Sequence, residues 1–205
     1  MNSVLGISAF YHDSAAALII DGKIIAAAQE ERFTRIKHDS SYPSNAINFV
    51  LEFGGLEIGD VDSIVFFEKP FLKFERLIET YLAFSPRGFQ SFIKSMPIWL
   101  KEKLFQKKFL IEKIQKHGHI ENLSSKLFFS EHHLSHAASA FFPSPYEEAL
   151  IITADGVGEW ATTTIAIGEK NKIKIVKELN FPHSLGLLYS AFTYYSGFKV
   201  NCGEY

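Results

Sequence analysis

Short apolar runs punctuated by polar turns dominate both ends of this chain, and their lengths decide the elements they predict. Residues 4–7 (Val-Leu-Gly-Ile) read as a buried strand, and Ala15–Ile20 as a second. Asp21-Gly22 follows, a turn pair suited to tight hairpins, and residues 23–28 return as a third strand. The chain therefore opens on a three-stranded antiparallel meander, with the polar loop Tyr11-His12-Asp13-Ser14 between its first two strands. Residues 30–42 are charged and show no core face. From 44 to 53, Ala46, Ile47, Val50 and Leu51 recur at helical spacing, and Gly54-Gly55 ends that helix. Residues 61–67 predict another buried strand.

The pattern then changes. Residues 69–125 are rich in Lys and Phe, with helical periodicity over 77–84 and 89–115, broken at Pro86 and Pro97. This stretch reads as a helical insert or lid. Strand character resumes at 127–129, a helix follows over 132–142, and strands are expected at 149–153, 162–167 and 173–179. A helix over 184–196 comes last. Strand-turn-strand units followed by helices indicate an α/β or α+β layered domain.

Composition narrows the class. In 205 residues, 47% hydrophobic and 15% aromatic content excludes disorder. No apolar run approaches the ~18 residues of a membrane span, and the start Met1-Asn2-Ser3-Val4 has no secretory character. A net charge of −2 offers no argument for nucleic acid. One cysteine, Cys202, excludes an internal disulfide and a zinc ribbon, and no partner that would make it a nucleophile is visible. Together these features predict a soluble cytoplasmic protein with neither nucleic-acid nor membrane partners.

Three groups carry candidate chemistry. In Glu131-His132-His133-Leu134-Ser135-His136, the first and last histidines are i and i+4 on a helix, so both imidazoles can converge on one metal ion while His133 points elsewhere. The competing reading is a chance cluster at a helix start. Asp155, directly after a strand, opens Asp155-Gly156-Val157-Gly158-Glu159. Its glycines could bring backbone N–H groups to a phosphate or metal, or simply make a hairpin turn. With the histidine pair, Asp155 is a third-ligand candidate. The third group is His12, Asp13 and Ser14, where an imidazole suited to proton transfer meets a carboxylate and a hydroxyl; the alternative is a self-bonded turn. Glu30, Glu31, Arg32, Arg35 and Lys37 follow as anion-binding charge or a solvated face.

Taken together, four ordered segments resemble the nodulation-protein-U type O-carbamoyltransferases. They are Gly6-Ile7-Ser8 through Tyr11-His12-Asp13-Ser14-Ala15-Ala16-Ala17 with Gln29-Glu30-Glu31-Arg32-Phe33-Thr34-Arg35; Glu131 through Phe141; Asp155-Gly156-Val157-Gly158-Glu159; and Pro182-His183-Ser184-Leu185-Gly186-Leu187-Leu188-Tyr189. The resemblance implies an actin/Hsp70-like (RNase H-like) ATPase lobe, followed in the family by a YrdC-like domain that makes carbamoyl-adenylate from carbamoyl phosphate and ATP. The first domain then passes the carbamoyl group to a small-molecule acceptor alcohol, using a divalent metal expected to be iron. Carried onto this chain, the resemblance makes His132, His136 and Asp155 metal ligands and His12 the residue at the reacting carbamoyl group. Asp13, Ser14, Lys37, Gly156, Val157, Gly158 and Glu159 become nucleotide or substrate contacts.

Two alternatives stay open: a metal- or nucleotide-binding module without catalysis, and a relative that modifies tRNA or a maturation protein. The family pattern continues beyond Gly203-Glu204-Tyr205, so the expectation is the N-terminal part of the transferase domain, inactive alone, with a homodimer through a cut edge as one oligomeric outcome.

Overall fold

The computed structural model describes residues 1–100, 105–200 and 203; Cys202, Glu204 and Tyr205 lie outside the described residues. The chain is mixed α/β and divides into two compact units, Met1–Phe67 with Pro97–Ser130, and Glu68–Met96 with Glu131–Tyr205.

The first unit is built on a five-stranded sheet. Strands β1 (Ser3–Ser8), β2 (Ala15–Ile20) and β3 (Lys23–Gln29) form the expected meander, closed by Asp21 and Gly22 at φ 47° and 78°. Two positive φ values in succession define the hairpin turn whose twist matches its strands. Strands β4 (Ser63–Phe66) and β5 (Leu127–Phe129) extend the sheet in parallel, giving the order β3-β2-β1-β4-β5. Asp62 ties the two starts together, its carboxylate accepting the Ser3 N–H at 2.8 Å and the Ser3 hydroxyl at 3.0 Å.

Helix α2 (Ser44–Gly54) buries Ala46, Ile47, Val50 and Leu51 in this unit's core, beside Leu5, Leu18, Ile64 and Phe66. A Cβ on Gly54 would stand 2.4 Å from Leu18 Cδ2, so glycine lets the helix end approach the sheet. Gly55 closes the helix in the left-handed conformation.

Residues 30–42 depart from the expectation of a coreless charged stretch. They form a short helix, α1 (Glu31–Thr34), and bury Glu30, Asp39 and Tyr42. The Glu30 carboxylate accepts the N–H groups of Asn45 and Ala46 at 3.1 and 2.8 Å, placing an anion where the first turn of α2 leaves donors unpaired.

The 69–125 stretch contributes α3 (Pro70–Ala83), α4 (Phe89–Trp99), α5 (Gln106–Ile114) and α6 (Leu123–Lys126). Its residues divide between the two units. Leu110 and Ile114 of α5, with Ile120 and Leu123, are part of the first unit's core.

The second unit carries an antiparallel sheet of β6 (Glu148–Ala154), β7 (Ala161–Glu169) and β8 (Lys172–Asn180). Helix α7 (His132–Phe141) covers it through Ala137 and Phe141, which pack on Ile151 and Ala166. Helix α8 (Leu185–Tyr195) follows β8.

Candidate functional site

Helix α7 begins at the first of its three histidines. Its N-cap residue, Glu131, makes no side-chain cap; the buried carboxylate of Glu159 instead accepts the His132 N–H at 3.0–3.1 Å and the Lys69 N–H at 2.8 Å. An anion at this helix start favours the backbone dipoles and sets where His132 leaves the helix. One turn later His136 projects on the same side, and the two Nε2 atoms stand 3.0 Å apart.

Asp155 meets them from the end of β6. Its Oδ2 lies 2.8 Å from His132 Nε2 and 3.9 Å from His136 Nε2, while Oδ1 accepts the Gly156 N–H at 2.6 Å. The hydrogen bond from His132 holds the Asp155 carboxyl far below the usual carboxylate range against the effect of burial, with His132's charge, the Gly156 N–H and His136 adding to it. The His132 side chain is 9% exposed and that of His136 51%, so the group is walled on one side and open on the other.

The donor set fits a metal ion. One ligand atom from each of the three residues lies within 4.8 Å of the others. An ion with ~2.1 Å bonds puts ligands at right angles ~3.0 Å apart, close to the shorter two separations here. Two imidazoles and one carboxylate suit a borderline divalent ion and leave further positions for other ligands. Without an ion, two facing Nε2 atoms need one to carry the proton and the other to accept it.

His133 points away, as expected from its position on the helix. Its Nδ1 meets Thr153 Oγ1 at 2.6 Å, Thr153 reaches Thr164 at 2.7 Å, and burial pushes the imidazole's pKa down.

The turn after Asp155 is held from both sides. Gly156 and Val157 are partly exposed, and Gly158 is buried. A Cβ on Gly158 would meet His133 Cδ2 at 2.9 Å and His132 Cδ2 at 3.2 Å, so glycine makes room for both rings. The Gly158 carbonyl accepts from Arg76 Nη1 at 2.6 Å. The Gly156 and Gly158 N–H groups are engaged within the turn, on Asp155 Oδ1 and the Ala161 carbonyl.

Sequence reasoning did not assign a role to Ser184 and Gly186. Ser184 caps α8 by accepting the Leu187 N–H, and its hydroxyl reaches the carbonyls of Asp155 and Gly156 at 3.1 and 2.7 Å. Both residues stood in the recognised Pro182–Tyr189 segment, which was the available signal.

A second polar group belongs to the first unit. Asp13, at φ 48°, faces His12 Nδ1 at 2.9 Å through Oδ2 and His38 Nδ1 at 3.0 Å through Oδ1. Burial opposes its ionisation, but hydrogen bonds from His38 and His12 hold its pKa below the ordinary value. Glu31 accepts the His38 N–H at 3.0 Å, and atoms of Asp13, Glu31 and His38 also lie within 4.8 Å of one another. His12 is exposed and so is Lys37. Ser14 is fully buried, its backbone bonded to Asp39 and Glu30, and its Oγ has no hydrogen-bond partner among the described residues. His38 was missed because nothing in the charged 30–42 stretch marks one residue as facing Asp13.

Comparison with known proteins gives the class. The family model described as carbamoyltransferase N-terminus matches residues 3–205, and the chain belongs to that family. It is 59% identical, over 100% of its length and 34% of the relative's, to the uncharacterized protein sll1178 of Synechocystis. It is 34% identical to the nodulation protein NolNO of Sinorhizobium fredii, over 93% of this chain and 26% of that one. The chain thus spans about a third or less of these curated relatives. Among solved structures, YeaZ from Pseudomonas aeruginosa matches 89% of this chain and 68% of its own at 13% identity and a TM-score of 0.42. No described helix is long and apolar enough to cross a membrane.

Proposed function

We propose that this chain forms part of an O-carbamoyltransferase that moves a carbamoyl group from carbamoyl-adenylate to the hydroxyl of a small-molecule acceptor. The observation that carries the reading is the convergence of His132, His136 and Asp155 in a member of the carbamoyltransferase family. These three residues would hold a divalent ion, iron by the family resemblance. Such an ion, when bound, supplies Lewis-acid polarisation of a phosphoryl or carbamoyl oxygen.

In the transfer, the acceptor oxygen bonds to the carbamoyl carbon, the bond from that carbon to the phosphate oxygen breaks, and AMP leaves. The proton of the acceptor hydroxyl must go to a base. His12 is suited to that role because Asp13 engages Nδ1, leaving Nε2 as the nitrogen free to accept it. By the family resemblance, Asp13, Ser14 and Lys37 of the first unit, and separately Gly156, Val157, Gly158 and Glu159 of the second, are proposed as nucleotide or acceptor contacts. Carbamoyl-adenylate would be made from carbamoyl phosphate and ATP elsewhere in the whole protein.

The test is an assay of the full-length protein with labelled carbamoyl phosphate, ATP and a panel of alcohol acceptors. Release of AMP matched by label in an acceptor ester supports the reading. Label appearing in tRNA or on a protein thiol, with none in any alcohol, contradicts it.

A further inference from the structure

We propose that Glu68, paired with Lys73, is a positioning residue that sets the tautomer and aim of His132 toward the metal; the proposal rests on the metal reading above. Glu68 follows β4 and Lys73 lies one turn into α3. Their side chains are 1% and 10% exposed, and the ammonium donates directly to Glu68 Oε2. The same Oε2 stands 4.0 Å from His132 Nδ1. His132 therefore lies between two carboxylates, Asp155 at Nε2 and Glu68 toward Nδ1.

Packing alone does not account for this pair. Removing two charges from water costs several kcal/mol each, and apolar residues of similar volume usually serve stability as well or better. An apolar pair could not present negative charge to Nδ1. With a metal on the Nε2 lone pair, the ring's proton would sit on Nδ1, and negative charge on that side favours this metal-binding tautomer. A carboxylate behind a ligating histidine acts in this way, and its loss typically weakens metal binding about 10–100-fold. Lys73, donating to the same Oε2, holds the Glu68 carboxylate in place behind the ring. The two residues do not touch the proposed reacting atoms; they act through His132.

The experiment titrates Co²⁺ into full-length protein, following ligand-field absorption beside thermal melting. The double variant Glu68→Met/Lys73→Met removes the buried charges while keeping volume. It is expected to melt at or above the wild-type temperature and to bind Co²⁺ about 10–100-fold more weakly. Glu68→Gln, which keeps the shape but not the charge, serves if the double variant fails to fold, and should lose affinity in the same direction. Wild-type affinity in a folded Glu68 variant, with binding abolished by His132→Ala, overturns this proposal and spares the metal reading. A wild-type protein whose Co²⁺ spectrum is unchanged by His132→Ala removes both.

Discussion

Gly186 lies so close to Asp155 that a Cβ built on it would fall 2.5 Å from the Asp155 carbonyl oxygen and 2.6 Å from the Gly156 nitrogen. The obstruction is backbone and cannot swing aside. The Asp155 turn is thus pinned by the start of α8, with the Ser184 hydroxyl on the adjacent carbonyls.

Gly186→Ala should therefore destabilise the protein by about 1–3 kcal/mol and shift Asp155 away from the histidines. Thermal melting with metal titration checks both effects. Gly156→Ala is the contrast, because its Cβ would first meet Leu187 Cδ2 at 4.0 Å, an ordinary contact. Equal melting temperatures for the two variants would contradict the pinning argument.

Glu30 occupies the start of α2, and Glu30→Ala would strip acceptors from the N–H groups of Asn45 and Ala46. A loss of about 1–3 kcal/mol is expected in denaturant unfolding. A loss near zero would mean that water replaces the carboxylate there.

The Ser3 N–H and hydroxyl hold the Asp62 carboxyl below its ordinary pKa. A depressed folded value contributes stability above the unfolded value of ~3.9 and loses it as pH falls through the folded one. The stability gap between wild type and Asp62→Asn should be flat above about pH 5 and close below about pH 4. A gap that widens on acidification would reverse the sign.

His12→Ala in the full-length protein should lower carbamoyl transfer by about 10²–10⁴-fold. Asp13→Asn, which weakens the hold on Nδ1, should cost less and leave the melting temperature nearly unchanged. Transfer rates under matched acceptor concentrations measure this. Undiminished transfer by His12→Ala would remove the histidine from the chemistry.

Local features of the fold were readable because each rests on neighbouring residues. The Asp21-Gly22 turn sets the first β2–β3 pairs, Ile20 with Lys23 and Ile19 with Ile24, before an irregularity shifts the register beyond Ile19, and α2 shows its apolar face and its glycine stop directly. The parallel pairing of β1 with β4 was not readable, because Val4 meets Ser63 across a long intervening stretch that no local period encodes. Burial of Glu30 was hidden for a similar reason: its partners are fifteen and sixteen residues away.

The site divides the same way. His132 and His136 follow from helical spacing, and Asp155 from its place at a strand end. Ser184, Gly186, Glu68 and His38 act through approaches that only the folded chain reveals.

The most direct measurement of the central claim is the divalent metal content of the full-length protein beside His132→Ala, His136→Ala and Asp155→Ala. The account predicts bound metal in the wild type that each substitution removes or sharply weakens, with carbamoyl transfer falling in step. Metal content and transfer that are the same in all four proteins would contradict it.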